Sequence, residues 1–434
     1  MIRDPHISLF EVVLCLSKSM DLINPHVVDH HKRVACIALA IASELGLSIG
    51  EQNNIVLAAL LHDTGALSYE ERLDASIFEA DNHLSIHKHA KVGYSILNNF
   101  SPFEEVAPLI LFHHVNFNNS NDSEFEGEAI PLGSYILHIA DRVEVLIDKK
   151  KDILSQVDGI MSRIRDHSGS VFMPELVDTL ERIVKQESFW FDINYTDMKY
   201  IVSRKSGLLL WELNVSDLVS LSNLFCQFID FRSRFTFNHS SGVSACATKL
   251  AELVGFSEIE CNNMKIAGYF HDIGKLAVPS TILDKRDKLT HDEMNIVKRH
   301  VFFTYSLLEP IRDFEEISRW AAFHHERLDG NGYPFHHGAS TLSLGSRIMS
   351  VADVFTAISE DRPYREGMNS EKALGVLMRM ANDNGLDRNI VLMLEKNYDL
   401  INAARVTAQN VMRNTFKAYT RYDVSSEIIE KSPV

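Results

Sequence analysis

The chain has 434 residues, 45% of them hydrophobic and 9% aromatic, and a formal net charge of −16. That length suits two or three domains of roughly 100–200 residues with ordinary packed cores. The acidic balance excludes a general grip on DNA or RNA, which needs a basic face to neutralise phosphates, but leaves room for a small phosphorylated ligand held by local cations.

In chain order, the opening "MIRDPHISLFEVVLCLSKSM" carries Glu11 inside a short apolar stretch, so it reads as an amphipathic helix rather than a signal peptide. "HHKRVACIALAIASELGLS" and "EQNNIVLAALLHD" follow with helical periodicity, and Gly46 ends the first of them. "NFNNSNDSEFEGE", Asn116 to Glu128, reads as a polar surface loop. The aromatic and polar run from Glu187 to Arg204 breaks the helical pattern and suggests an interdomain connector with a short strand. "NVSDLVSLSNLFCQFIDFRSRF" then opens a second domain, and "CNNMKIAGYFHDIG", "EEISRWAAFHHE" and "SRIMSVADVFTAIS" continue it as helices. The expected domains are therefore residues 1–200 and 201–434. No apolar run reaches the roughly 18 residues of a membrane span. The cysteines Cys15, Cys36, Cys226, Cys246 and Cys261 sit in apolar contexts with no CxxC, as reduced core thiols of a cytoplasmic protein do.

The second domain repeats the first. Val34, Ala38, Ile41 and Leu45 recur 209 positions later as Val243, Ala247, Leu250 and Val254, and Gly46 recurs as Gly255. The titratable residues follow. His30, His62 and Asp63 match His239, His271 and Asp272 at 209; His89, His113 and His114 match His300, His324 and His325 at 211; Asp141 matches Asp353 at 212. Small loop insertions account for the drift. A solenoid would repeat every roughly 20–50 residues, so this is a duplication of one helical domain.

A lone histidine on an apolar face is usually a satisfied core residue, but seven His and Asp residues kept in order in two copies are not explained by packing. Imidazole and carboxylate donors without cysteine suit divalent Fe, Mn, Co or Ni. Seven donors exceed one four-coordinate ion and suit two ions bridged by a carboxylate. Such a pair, about 3.5–4 Å apart, can hold a hydroxide and clamp a phosphoryl oxygen for in-line displacement.

"HDIGK" (His271 to Lys275), "HHERLDGNGYP" (His324 to Pro334) and "VADVFTAISEDRPYR" (Val351 to Arg365) together closely resemble the HD-GYP family of bacterial cyclic-dinucleotide phosphodiesterases, over roughly residues 210–410. The first half resembles a related HD domain without the GYP loop. The resemblance implies an all-α fold of two tandem HD domains. It implies hydrolysis of c-di-GMP or 3',3'-cGAMP to a linear 5'-phosphorylated dinucleotide through a metal-bridging hydroxide. His239, His271 and Asp353 would bind one ion, His300, His324 and His325 the other, and Asp272 would bridge them. Lys275 would contact the scissile phosphate, and Arg362 and Arg365 its oxygens. Gly330, Gly332, Tyr333 and Pro334 would shape a loop beside the site, which could also meet a protein partner. Some family members place a glutamate four residues before the first histidine and bind a third ion; here that position is Phe235, so two divalent ions are expected in the second domain.

The first copy departs from this pattern. Ala66 stands where the second has Lys275, and "HHVNFNNSNDSEFE" replaces the GYP loop. His30, His62, Asp63, His89, His113, His114 and Asp141 form a candidate second metal site, but without the lysine and loop the domain reads as regulatory or structural. Two other functions are open: an HD-type mononucleotide phosphohydrolase, and a non-catalytic cyclic-dinucleotide receptor. The remaining expectations are a cytoplasmic protein with no membrane partner, and a homodimer.

Overall fold

The computed structural model describes residues 7–22, 29–66, 84–119, 124–125, 128–195, 197–205, 208, 211–231, 238–285, 287–361 and 366–429. Most of this is helical. Among the described residues, strands are confined to two short pairings, Ile7–Ser8 with Glu212–Leu213 and Glu124–Phe125 with Glu128–Ala129. The chain divides into two compact units, Ser8–Glu212 and Leu213–Val434, with Ile7 grouped in the latter. No helix among the described residues is long and apolar enough to cross a membrane, and no disulfide joins the five cysteines.

Each unit is organised around one buried helix that begins at the first repeated histidine. In the first unit this is His30–Glu44, against which Ile49–Leu61, Leu132–Val145, Pro174–Ile183 and Glu187–Tyr195 pack. In the second it is His239–Val254, flanked by Glu258–Phe270, Leu344–Ser359 and Tyr398–Ile429. A helix surrounded in this way needs side chains that fill space without polar demand. Val34, Ile37, Ala38 and Ile41 are fully buried, as are Val243, Ala247, Leu250 and Ala251. Each large aliphatic among them contributes about 1.5–3 kcal/mol. Both helices stop at a glycine in the left-handed region, Gly46 at φ +72° and Gly255 at φ +97°.

The next helix starts identically in both units. Ser48 and Glu51 form a capping box at Ile49–Leu61, and Ser257 and Glu260, 209 positions on, form the same box at Glu258–Phe270. Two sequence expectations differ from the fold in detail. The run from Glu187 to Arg204 is no strand-bearing connector: it forms helices Glu187–Tyr195 and Met198–Lys205, which bury Phe189, Trp190, Ile193, Ile201 and Val202 and pack on His30–Glu44. The short strand lies beyond it, at Glu212–Leu213. The opening helix Leu9–Asp21 is buried over nearly its whole circumference rather than along one stripe.

Candidate metal centres

In both units the histidines reach one point from different elements. His62 and His271 cap the C-terminal ends of Ile49–Leu61 and Glu258–Phe270. His113 and His324 stand just past the ends of Ala107–Leu111 and Glu315–Ala322. A helix C-terminus carries partial negative charge and favours a cation, so these ends suit metal ligands. His89 and His300 come from Leu84–Leu97 and His291–Leu308, and Asp141 and Asp353 from Leu132–Val145 and Leu344–Ser359.

The outer nitrogen of most of these rings is already engaged. The Nδ1–H groups of His62 and His271 donate to the carbonyls of Ala59 and Gly268, both at 2.8 Å. Those of His113, His324 and His300 donate to Ile110, Ala321 and Val297, each at 2.6 Å. His30 and His239 instead donate Nδ1–H to carboxylates, Glu144 at 2.5 Å and Glu360 at 3.2 Å. Each arrangement points Nε2 inward, and a hydrogen bond of this kind orients an imidazole for a metal.

In the second unit, donor atoms of His239, His271 and Asp353 lie within 4.8 Å of one another, as do those of His300, His324 and His325, and those of His271, Asp272 and His324. Asp272 lies between the groups, its Oδ2 3.2 Å from His271 Nε2 and its Oδ1 3.4 Å from His300 Nε2. His271 Nε2 and Asp272 Oδ1 are buried without a hydrogen-bond partner. Such atoms are costly unless something coordinates them, so the donor set fits divalent first-row ions. The Lys275 ammonium meets Asp272 Oδ2 at 2.5 Å. Arg362, Arg365 and Phe235 lie outside the described residues.

Charge follows the same geometry. Burial opposes the charge on His239, but Glu360 and Asp353 outweigh it and push its pKa up to about 10. Burial pushes His300 down to about 3 against the pull of Asp272, and lowers His324 and His325 as well. Burial works against the charged form of Asp272, but His271 and Lys275 hold its carboxyl well below the usual range. At neutral pH His239 would therefore have to lose a proton to bind metal, while His300, His324 and His325 are already neutral. Metal affinity of the second site should rise about tenfold per pH unit between pH 7 and 9, the slope of one expelled proton. Titration with Mn²⁺ at several pH values checks this; a slope near three would mean that the other rings titrate too.

The GYP loop is built from backbone constraints. Gly330 has φ +76°. A Cβ on Gly332 would lie 2.4 Å from Glu326 Cα, so no other residue fits there. The buried Glu326 carboxylate accepts from the backbone N–H groups of Phe335 at 2.7 Å and His337 at 3.0 Å, pinning the loop. Tyr333 packs on His325 with ring centroids 5.0 Å apart, and the Tyr333–Pro334 peptide is cis. The loop thus lies directly against the second ligand group.

Sequence reasoning missed several supporting residues. Glu144 is three positions after Asp141 and Glu360 seven after Asp353, spacings that return to the same helical face; the two carboxylates are not at equivalent positions, so matching the copies does not reveal them. Gly65 and Gly274 do match, at 209. A Cβ on either would stand 1.9 Å from the carbonyl oxygen of His89 or His300, so each glycine lets the third histidine's helix reach the His-Asp turn. Gly274→Ala should destabilise the second domain by about 3 kcal/mol or more, at the upper end of overpacking costs because the obstacle is backbone. Thermal unfolding with metal retention measured alongside checks this; an unchanged Tm would show that His300 can withdraw freely.

In the first unit, donor atoms of His30, His62 and Asp63 lie within 4.8 Å of one another, as do those of His89, His113 and His114. Asp63 Oδ1 is 3.5 Å from His62 Nε2 and 3.6 Å from His89 Nε2, and Asp141 Oδ1 is 3.3 Å from His30 Nε2. The units differ in access. In the second, the His325 side chain is 30% exposed and that of Lys275 21%. In the first, His113 and His114 are buried at 0% and 1%, and Ala66 offers no cation.

Comparison with known proteins agrees with this architecture. HD domain models match residues 27–146 and 223–390. The chain is 26% identical over 400 residues to the 3'3'-cGAMP-specific phosphodiesterase 1 of Vibrio cholerae serotype O1, covering 90% of this chain and 92% of that protein. It is 40% identical over 151 residues to the cyclic di-GMP phosphodiesterase response regulator RpfG of Xanthomonas campestris pv. campestris, covering 34% of this chain and 40% of that one. The crystal structure of the cyclic GMP-AMP specific phosphodiesterase V-cGAP3 of V. cholerae shares the fold, with a TM-score of 0.63 and 24% identity over 93% of this chain and 98% of that one. With an HD domain match around each of its two His/Asp clusters, the chain belongs to the HD-domain family, as a tandem member similar to bacterial cyclic-dinucleotide phosphodiesterases.

Proposed function

We propose that the second domain is a metal-dependent phosphodiesterase that opens a cyclic dinucleotide, 3',3'-cGAMP or c-di-GMP, to a linear 5'-phosphorylated product. The observation that carries this reading is the partly exposed ammonium of Lys275 placed against the ligand carboxylate Asp272, beside the loop that rests on His325. His239, His271, Asp272, His300, His324, His325 and Asp353 would hold two ions from the Fe, Mn, Co and Ni class. The ions, when bound, supply an activated water and neutralise charge on the transferring phosphoryl group. Glu360 fixes the His239 ring, backbone carbonyls fix those of His271, His300 and His324, and the pinned loop rests on His325. Lys275 is a donor without a lone pair, so its role is to neutralise phosphate rather than to bind metal. The burial of His114, where its counterpart His325 is partly exposed, supports a regulatory or structural role for the first domain.

Whole-chain similarity favours a cGAMP-type substrate, whereas the more strongly similar but shorter match is to a c-di-GMP enzyme. Incubation of the metal-loaded chain with each cyclic dinucleotide, with chromatography of the products, tests the proposal. A linear dinucleotide that disappears on chelation is the expected result. Tight binding with full recovery of the cyclic compound would identify a receptor, and release of phosphate from mononucleotides alone a phosphohydrolase.

A further inference from the structure

The first cluster contains a histidine that the repeat does not predict. His31 follows His30 directly, and its counterpart 209 positions on is Ser240. The residue supporting it is shared: Asp21 and Asp230 are also 209 apart. In the second unit the Ser240 hydroxyl donates to Asp230 Oδ1 at 2.7 Å. In the first, His31 Nδ1–H donates to Asp21 Oδ1 at 2.7 Å. That bond leaves the lone pair on Nε2, which lies 3.7 Å from Asp63 Oδ2. His31 is 1% exposed, and its Nε2 is buried without a hydrogen-bond partner. Its ring centroid is 5.1 Å from that of His62 and 5.2 Å from that of His30.

Distance sets the first condition for donors to share an ion. Two donors on one ion, each about 2.1 Å from it, stand no more than about 4.2 Å apart. His31 Nε2 and Asp63 Oδ2 satisfy that limit, as do His30 Nε2 with Asp63 Oδ2 at 3.8 Å and with Asp141 Oδ1 at 3.3 Å. Asp21 behind His31 and Glu144 behind His30 give both rings the carboxylate support typical of metal-binding histidine. The buried Arg142 engages Asp141 Oδ2 at 2.5 Å, which leaves Oδ1 facing the cluster. Val354 stands at the corresponding position of the second copy, so this constraint is also particular to the first.

We propose that the first HD domain holds a divalent ion of the Mn, Fe, Co and Ni class on His30, His31, His62, Asp63 and Asp141, and that His31 fills the coordination position a hydrolytic centre leaves open. Structural sites are closed and catalytic sites keep a vacancy for water or substrate. Among the described residues, the second domain offers four side chains at the corresponding position, with Ser240 where the fifth would be. The absence of a lysine at Ala66 and the burial of His114, where His325 is partly exposed, fit the same division. The ion in the first domain therefore holds structure and exchanges slowly.

The test uses the full-length chain loaded anaerobically with Mn²⁺ or Fe²⁺, desalted, and followed by metal analysis during incubation with chelator. Wild type should hold more than two ions, one class leaving slowly, and that class should persist in Asp272→Ala. His31→Asn keeps an amide N–H for Asp21 but places nothing at the Nε2 position. It should lose about one ion, or release the slow class at least about tenfold faster, since even supporting residues of such sites contribute about 10–100-fold to affinity. His31→Ser, which copies the second domain, should behave likewise and provides the same measurement if the asparagine variant fails to fold. A wild-type chain with no slow class, or a slow class untouched by either folded variant, would overturn the proposal.

Discussion

Asp272→Ala is expected to lower cyclic-dinucleotide turnover by roughly 10⁴-fold or more, whereas Asp63→Ala should leave it within about tenfold of wild type. Asp272 alone stands between the two ligand groups of the second domain, within 3.4 Å of His271 and His300 and in contact with Lys275. On the proposed two-ion reading, removing it would deprive both ions of a shared anionic ligand, and with them the several kcal/mol of activation and charge neutralisation such a pair provides. Asp63 has the same place in the first domain, but Ala66 stands where the second has Lys275, and the segment following His113 and His114 contains no GYP. Steady-state turnover at equal concentrations of folded protein, checked by circular dichroism, decides the matter. Equal losses from both substitutions would remove the division of labour between the domains.

Lys275→Ala should lower turnover by roughly 10²–10³ while leaving metal content unchanged, the loss typical of one preorganised electrostatic stabiliser. Its ammonium emerges from the short 3-10 turn Ile273–Ala277 immediately after the His-Asp pair, meets the buried Asp272 carboxylate and remains 21% exposed. It lies between the ligands and solvent, where a bound phosphate would approach. An exposed surface pair would instead contribute about 0–1 kcal/mol to stability and nothing to rate. Turnover and metal analysis on the same sample separate these cases. Near-normal turnover with full metal would reduce Lys275 to a counter-ion of Asp272, and Ala66 would no longer mark the first domain as inactive.

The sequence makes the candidate ligands legible because their residue types recur in order at nearly constant offset, and no packing requirement preserves that order. The helices are equally readable from the spacing of Val34, Ala38, Ile41 and Leu45 and from Gly46 and Gly255. What supports the ligands is harder to see. Glu144 and Glu360 serve the same function from different positions, so repeat matching passes over them. His31 is hidden beside a histidine that already has a role, and only folding shows its Nε2 turned toward Asp63. The run from Glu187 to Arg204 reads as irregular because its two helices are short and rich in aromatics, yet Phe189, Trp190, Ile193, Ile201 and Val202 are buried. Tertiary packing overrides the weak local pattern there.

The central claim is hydrolysis of a cyclic dinucleotide by the second domain. Its most direct test is a reaction of the metal-loaded chain with 3',3'-cGAMP and with c-di-GMP in ¹⁸O-water, followed by mass spectrometry of the nucleotides. The expected result is a linear dinucleotide carrying one ¹⁸O in its terminal phosphate, formed by wild type and Asp63→Ala and absent after chelation or in Asp272→Ala. Recovery of both cyclic compounds unlabelled and intact, from a protein that binds them and carries its full metal complement, would contradict it.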